Sequence, residues 1–137
     1  MALNGGLHGG LAGEDILTSR FIKHGSSDGV FLEGNADDVV HGISHDGSRN
    51  VPALGLSTVN TANSGDPMLA YGMGDICLLT IGSGGVTRGD RIKCGAAGVG
   101  LAAAGTATSY AIAIQSIASG ETGYVQFTGQ QIGDTTA

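Results

Sequence analysis

Val86-Thr-Arg-Gly-Asp-Arg-Ile-Lys-Cys-Gly-Ala-Ala-Gly-Val-Gly-Leu101, continued through Ala102 to Gln130, reads as short β-strands joined by tight glycine turns. Gly89-Asp90 predicts a turn, Arg91 to Cys94 a strand, and Gly95 to Gly98 a second turn. Val99 to Ala102 returns as a short strand, and Tyr110 to Ile117 follows as a longer one. In that strand Tyr110, Ile112 and Ile114 face one way, and Ala111 and Ala113 the other, the period-two pattern of a half-buried strand. Ser119 to Gly123 turns the chain. Tyr124 to Thr128 closes the unit, with Val125 and Phe127 on one face.

An earlier stretch copies this unit. With Arg20 to Gly25 set against Asp90 to Gly95, Ile22, Lys23 and Gly25 meet Ile92, Lys93 and Gly95. One deletion in the turn brings Gly29, Val30 and Leu32 onto Gly98, Val99 and Leu101. Two inserted residues then bring Gly34, Ala36 and Ile43 onto Gly105, Ala107 and Ile114. The order survives two small gaps, which predicts an internal duplication. Repeat one is expected at about residues 20–82, with an insert at 45–71, and repeat two at about 86–130. The insert is rich in turn signals, and only Val51 to Val59 has enough apolar residues for a strand. Asp75 to Ile81, a nearly continuous apolar run, reads as the most buried strand of the first half.

The expected class is all-β, a small β-barrel or sandwich-like domain over residues 14–137, built from a duplicated strand–turn–strand unit. A flexible Gly-rich N-terminal arm over residues 1–13 precedes it. Leucines recur there at Leu3, Leu7 and Leu11, a helical spacing. The interleaved glycines each cost a helix roughly 1 kcal/mol relative to alanine, so an arm is expected. Its leucines need a surface to bury against, and Leu3, Leu7 and Leu11 are the candidate residues for docking on a neighbour.

The chain has 137 residues, with 26 glycines, no tryptophan, three Phe and three Tyr. A core of small side chains buries little area at about 25 cal/mol per Å². So many glycines also raise the entropy cost of ordering the chain. Both effects favour stabilisation by self-association. Twelve acidic against six basic residues give a net charge of −6. Without a basic cluster the chain is a poor candidate for nucleic acid, whose affinity comes largely from Lys and Arg on phosphates. No apolar run approaches the roughly 18 residues of a membrane helix, and no secretion signal opens the chain. A soluble protein made in a reducing cytosol is expected. Two cysteines make no disulfide framework, and Cys77 within an apolar run behaves as a small buried hydrophobe.

Gly98-Val-Gly100-Leu-Ala-Ala103 has the spacing of a dinucleotide loop, but β-forming residues follow too soon for the helix that would meet a pyrophosphate. No cofactor is expected. His41 and His45, followed by Asp46, offer metal ligands, yet a metal needs three or four convergent groups, and none is expected. Gly42-Ile-Ser44-His-Asp46 fails the nucleophile-elbow pattern at its fifth position, and no other catalytic constellation stands out. Arg88-Gly-Asp90 spells an integrin-recognition tripeptide whose more economical role is the turn before Ile92.

The run Val-x-x-Gly-Asp-x-Ile-Lys-x-Gly at 86–95 is followed by Gly-Val, Leu-Ala, Gly-Thr-Ala, Tyr-Ala-Ile-Ala and Ser-Gly-Glu-x-Gly-x-Val. Together they resemble the capsid decoration (cement) proteins of tailed bacteriophages. The resemblance covers about residues 20–44 and 75–129. It implies a non-enzymatic virion protein, made in the host cytoplasm, that binds the outer surface of a capsid as a homotrimer. It would tie neighbouring major capsid subunits together. Two other classes stay open: a β-rich fibre-base or other binding module of a virion or surface assembly, and a small enzyme using His41, His45 and the insert.

Overall fold

The computed structural model describes residues 8–36, 38–45 and 60–131. Twelve strands carry them, and the other regular element among the described residues is a short 3-10 turn at Ala96–Gly98. The all-β expectation holds.

The first barrel is formed by β1 (His8–Ala12), β3 (Phe21–His24), β4 (Val30–Glu33), β5 (Gly42–Ser44) and β7 (Pro67–Tyr71). It is closed in the order β1-β4-β3-β5-β7, with β2 (Ile16–Leu17) and β6 (Asn60–Ala62) paired beside it. The second sheet has five strands: β8 (Ile76–Thr80), β9 (Arg91–Cys94), β10 (Gly100–Ala102), β11 (Ser109–Ala113) and β12 (Thr122–Gln131). Its order is β10-β9-β11-β12-β8, and a parallel bridge from Ile81 to Gly100 joins its two edges.

Register shows that the second sheet repeats the first barrel strand for strand. Lys23 pairs with Leu32 as Lys93 pairs with Leu101. Ile22 opposes Gly42 as Ile92 opposes Ala111. Ala12 lies parallel to Phe31 where Ile81 lies parallel to Gly100. Hydrogen bonds outside the ladders follow the same pattern. Gly65 N–H donates to Ala12 O and Ala12 N–H to Asp66 O, while Gly120 N–H donates to Ile81 O and Ile81 N–H to Glu121 O. Gly65 and Gly120 share a left-handed backbone, with φ of 89° and 81°.

These pairings move the expected boundaries. The first unit runs from β1 to β7, so the end of the expected insert belongs to it, with β7 as a barrel strand and β6 in the pair beside the barrel. Pro67 opens β7, a position where a strand tolerates a residue without an N–H. Val51 to Val59 lies outside the described residues. The run at 75–81 opens the second unit instead of ending the first. It alternates: Cys77 and Leu79 are buried, while Ile76 is 58% exposed. The flexible arm expected over 1–13 is corrected for its second half, because β1 pairs with both β4 and β7. Glycine at position 10 makes that possible, since a Cβ there would overlap the Phe31 ring. Residues 1–7 lie outside the description. The repeat alignment also slips by two at its end. Ile43 corresponds to Ile112, not Ile114, and Gly34 to Ala103, because Gly34 and Ala103 donate to Phe21 O and Arg91 O.

Each unit has its own interior. Ala12, Ile16, Ile22, Phe31, Ala62, Met68 and Ala70 fill the first. The second is larger, and it reaches into the first unit through Phe21, Val40 and Ile43, with Tyr71 packed against it. Within β3, Ile22 therefore serves one core and Phe21 the other, a direct use of strand alternation. Phe21 meets the Tyr110 ring edge-on at 6.4 Å and lies 6.4 Å from Phe127. Thr80 N–H to Ser19 O at 2.9 Å and Arg20 Nη1 to Ala97 O at 3.0 Å tie the units further. Fully buried Ser44 secures the strand entry: its hydroxyl accepts from Arg20 N–H at 2.9 Å and donates to Leu17 O at 2.8 Å.

The junction is not offered a second time. The residues corresponding to Phe21, Ile43 and Tyr71 in the second unit are Arg91, Ile112 and Gln126. The partners Cys94 and Tyr110 correspond to His24 and His41 in the first. Arg91 and Gln126 thus stand where the junction has Phe21 and Tyr71, and His24 and His41 where it has Cys94 and Tyr110.

Candidate docking faces

In β11 the buried face is the small one. Ala111 and Ala113 are fully buried, Ile112 is partly covered and Ile114 is 37% exposed. Alanines leave room for Phe127, Val125 and Ile92 inside, so the isoleucines are turned outward. Across the neighbouring strands, Ile112 is level with Gln126 and Ile76, and Tyr124 pairs with Leu78. Ile114 N–H reaches Tyr124 O at 3.4 Å. Ile76, Leu78, Ile112, Ile114 and Tyr124 thus form one apolar patch over three adjacent strands, with Tyr124 51% exposed. Its rim is uncharged along one side, where Thr80 and Thr122 share a hydroxyl hydrogen bond of 2.9 Å.

The first unit carries an apolar patch at the corresponding place. Leu11 pairs with Pro67 and Gly9 with Leu69 on the outer face of β1 and β7. Leu69 corresponds to Tyr124, and Leu11 to Thr80. Leu11 and Leu69 are 48% and 46% exposed. Isolated surface leucines need no explanation, whereas larger contiguous apolar patches are the surfaces that proteins in general use for contacts with other molecules.

Of the residues singled out from the sequence, Leu11 lies in this second patch, and Leu3 and Leu7 fall outside the described residues. Ile76, Leu69 and Tyr124 were missed. Tyr124 had a signal, since it alternates with Val125 and Phe127. Ile76 had none, because its apolar run reads as continuous burial.

His41 and His45 are given different neighbours. The His41 ring lies 4.2 Å from that of His24, and His45 stacks on Tyr71 at 5.6 Å. Among the described residues no three His, Cys, Asp or Glu side chains converge as a metal site would require. Gly98 closes the 3-10 turn and Gly100 begins β10, so no helix follows the glycine run to receive a dinucleotide. Cys77 and Cys94 are both buried thiols, and Cys94 Sγ donates to Gly95 O at 3.4 Å. Asp90 of the Arg-Gly-Asp run accepts a hydrogen bond from Thr87 N–H at 2.8 Å, and Gly89 takes φ of 91°, the turn expected there. A cleft of about 270 Å³ opens at the junction between Asp38, Lys93, Cys94, Tyr110 and Gln130. Lys23 occupies the Asp38 carboxylate at 2.7 Å and, as a hydrogen-bond donor, holds its pKa down.

His41 carries a measurable consequence. Desolvation and the neighbouring His24 lower its pKa from 6.5, and its Nδ1 accepts the His24 backbone N–H at 3.2 Å. A protonated Nδ1 cannot accept that bond. The unfolded chain takes up the proton more readily than the native one, so stability present above about pH 6.5 falls as the pH drops below it. Denaturant melts from pH 7.5 to 5 are expected to show this decline, with a shallower slope in His41→Gln. An identical slope in the variant would assign the decline to other groups.

Two tandem β-barrel units, joined through Phe21 and bearing apolar patches at matching places, define the class of this chain. No family model and no curated protein matches it. Among solved structures it is similar to the head fiber gp8.5 N base of bacteriophage phi29, with a TM-score of 0.56 and 15% identity. The alignment covers 91% of this chain and 96% of that one, and at this identity the likeness is one of fold.

Proposed function

We propose that this chain is a structural protein of a phage virion, seated on the head surface and engaging the major capsid protein. It acts without catalysis, as a self-associating module of three copies. The observation that carries the reading is the fold likeness to a phage head-fibre base over nearly the whole of both chains. The motifs at 86–129 and the two exposed apolar patches support it independently.

Within that reading, the described neighbour favours a fibre base over a cement protein. The two roles differ in what they do to the shell. A cement protein bridges capsid subunits and stabilises them by binding the assembled form alone. A fibre base needs only an anchorage. Undecorated capsids of the cognate phage, sedimented with the purified protein, are expected to retain it. A capsid melting temperature unchanged by saturating protein supports the fibre base, and a rise supports cementing. Failure to sediment with capsids would overturn the reading altogether.

A further inference from the structure

We propose that the cleft at the junction binds a small organic carboxylate, seated beside Lys93 in the role that Asp38 plays beside Lys23. The site is separate from the two apolar patches and independent of attachment to a capsid.

Lys23 and Lys93 hold the same place in the two units, each paired across its hairpin with a leucine. In the first unit Asp38 Oδ2 accepts from Lys23 Nζ at 2.7 Å and from Asn35 N–H at 2.9 Å. The second unit repeats the turn that carries Asp38. Asp38 N–H donates to Asn35 O at 3.1 Å, and Ala107 N–H donates to Ala104 O at 3.1 Å. Gly34 and Ala103, which correspond, lie at the same distance along the chain before Asp38 and Ala107. Alanine therefore stands where the first unit has the lysine's acidic partner. Arg91, on the same face of β9, is held by the loop itself, at Gly105 O (2.9 Å) and Ala107 O (3.1 Å). Lys93 has no acidic partner among the described residues.

The surroundings supply the rest of a carboxylate site. Ala107, Thr108 and Tyr110 line the cleft with Lys93, and Asp38 lines it with its charge already met by Lys23. Tyr110 is 5% exposed, yet its hydroxyl has no hydrogen-bond partner among the described residues. Polar groups buried that far are as a rule hydrogen-bonded. Desolvation, then Cys94 and Asp38, raise its pKa from 10, so the hydroxyl keeps its proton and is able to donate. An ammonium and a hydroxyl donor together suit an anionic oxygen. At about 270 Å³ the cleft takes a short acid and not a nucleotide. Val39 and Cys94 in its lining offer contact to a short hydrocarbon tail.

The test titrates propionate, and propionamide as its uncharged counterpart, into the isotope-labelled full chain, followed by NMR. Propionate is expected to give saturable amide shifts confined to Lys93 and residues 104–110. Propionamide is expected to bind roughly tenfold more weakly or less, the factor for one hydrogen bond to a charged group. Ala107→Asp rebuilds the arrangement of the first unit and is expected to abolish binding, because its own carboxylate meets Lys93. Lys93→Gln and Tyr110→Phe should each weaken binding by roughly the same tenfold. Arg88→Gln removes a charge outside the cleft and should leave binding unchanged. Circular dichroism confirms folding in each variant. Shifts that do not saturate, propionamide binding as well as propionate, or undiminished binding in folded Lys93→Gln or Ala107→Asp would each overturn the proposal.

Discussion

Replacing Phe21 with alanine is expected to cost about 3–5 kcal/mol of folding stability, the range for truncating a fully buried phenylalanine. For a chain of this length that corresponds to roughly 10–20 °C in melting temperature. The side chain is completely buried, although its strand belongs to the other unit's ladder. It occupies the end of the second core between Tyr110 and Phe127, beside Cys94 and Val40. The cavity would not collapse easily, because Phe21 backbone is pinned twice. Its carbonyl accepts from Gly34 N–H at 2.8 Å, and β3 is paired on both sides. Loss of the ring should also weaken the coupling between units, so that two transitions separate in a denaturant melt. Phe21→Leu should be distinctly milder. A loss below 1 kcal/mol in the alanine variant would mean that the units are joined elsewhere.

Gly100→Phe should be nearly as damaging, at about 3 kcal/mol or more from overpacking. A Cβ on Gly100 would lie 2.7 Å from Leu79 Cδ2, 2.8 Å from Ile92 Cγ2 and 3.0 Å from Ile81 Cδ1. The first unit solves the same place in the opposite way. Phe31 corresponds to Gly100, and Gly10 corresponds to Leu79, so bulk and glycine are exchanged between neighbouring strands. Both arrangements fill one interior with one large side chain. The double variant Gly100→Phe with Leu79→Gly copies the arrangement of the first unit, and it should recover part of the loss. Residues in direct contact deviate from additivity by about 0.5–3 kcal/mol, and that recovery is what a double-mutant cycle would read. A double variant as unstable as the sum of its parts would show that the two interiors differ in shape.

The exchange explains why the repeat was partly hidden. The legible matches include the paired glycines at tight places and Ile22 with Ile92, a buried position that both units fill with the same residue. Gly25 and Gly95 both face a Val–Leu pair, Val30 with Leu32 and Val99 with Leu101: a Cβ would come within 3.2 Å of Val30 at the first and 2.8 Å of Leu101 at the second. The hidden matches are interior positions where bulk is traded between neighbouring strands while the total volume is kept. Gly10 against Leu79 and Phe31 against Gly100 look unrelated until register places them together.

Sequence by itself determined the all-β class, the glycine and aspartate turns, and the strands at 91–94 and 124–128, because these depend on local backbone preference and period-two alternation. Tertiary structure alone decided that β8 opens the second unit, that β1 belongs to the first barrel, and which alternate face of each strand is covered. Phe21 and Ile43 are buried against the other unit, with Tyr71 partly so, while the corresponding Arg91 and Ile112 are only partly covered. Alternation states that two faces differ. What lies opposite each face is set by residues distant in sequence, and that decides which one is buried.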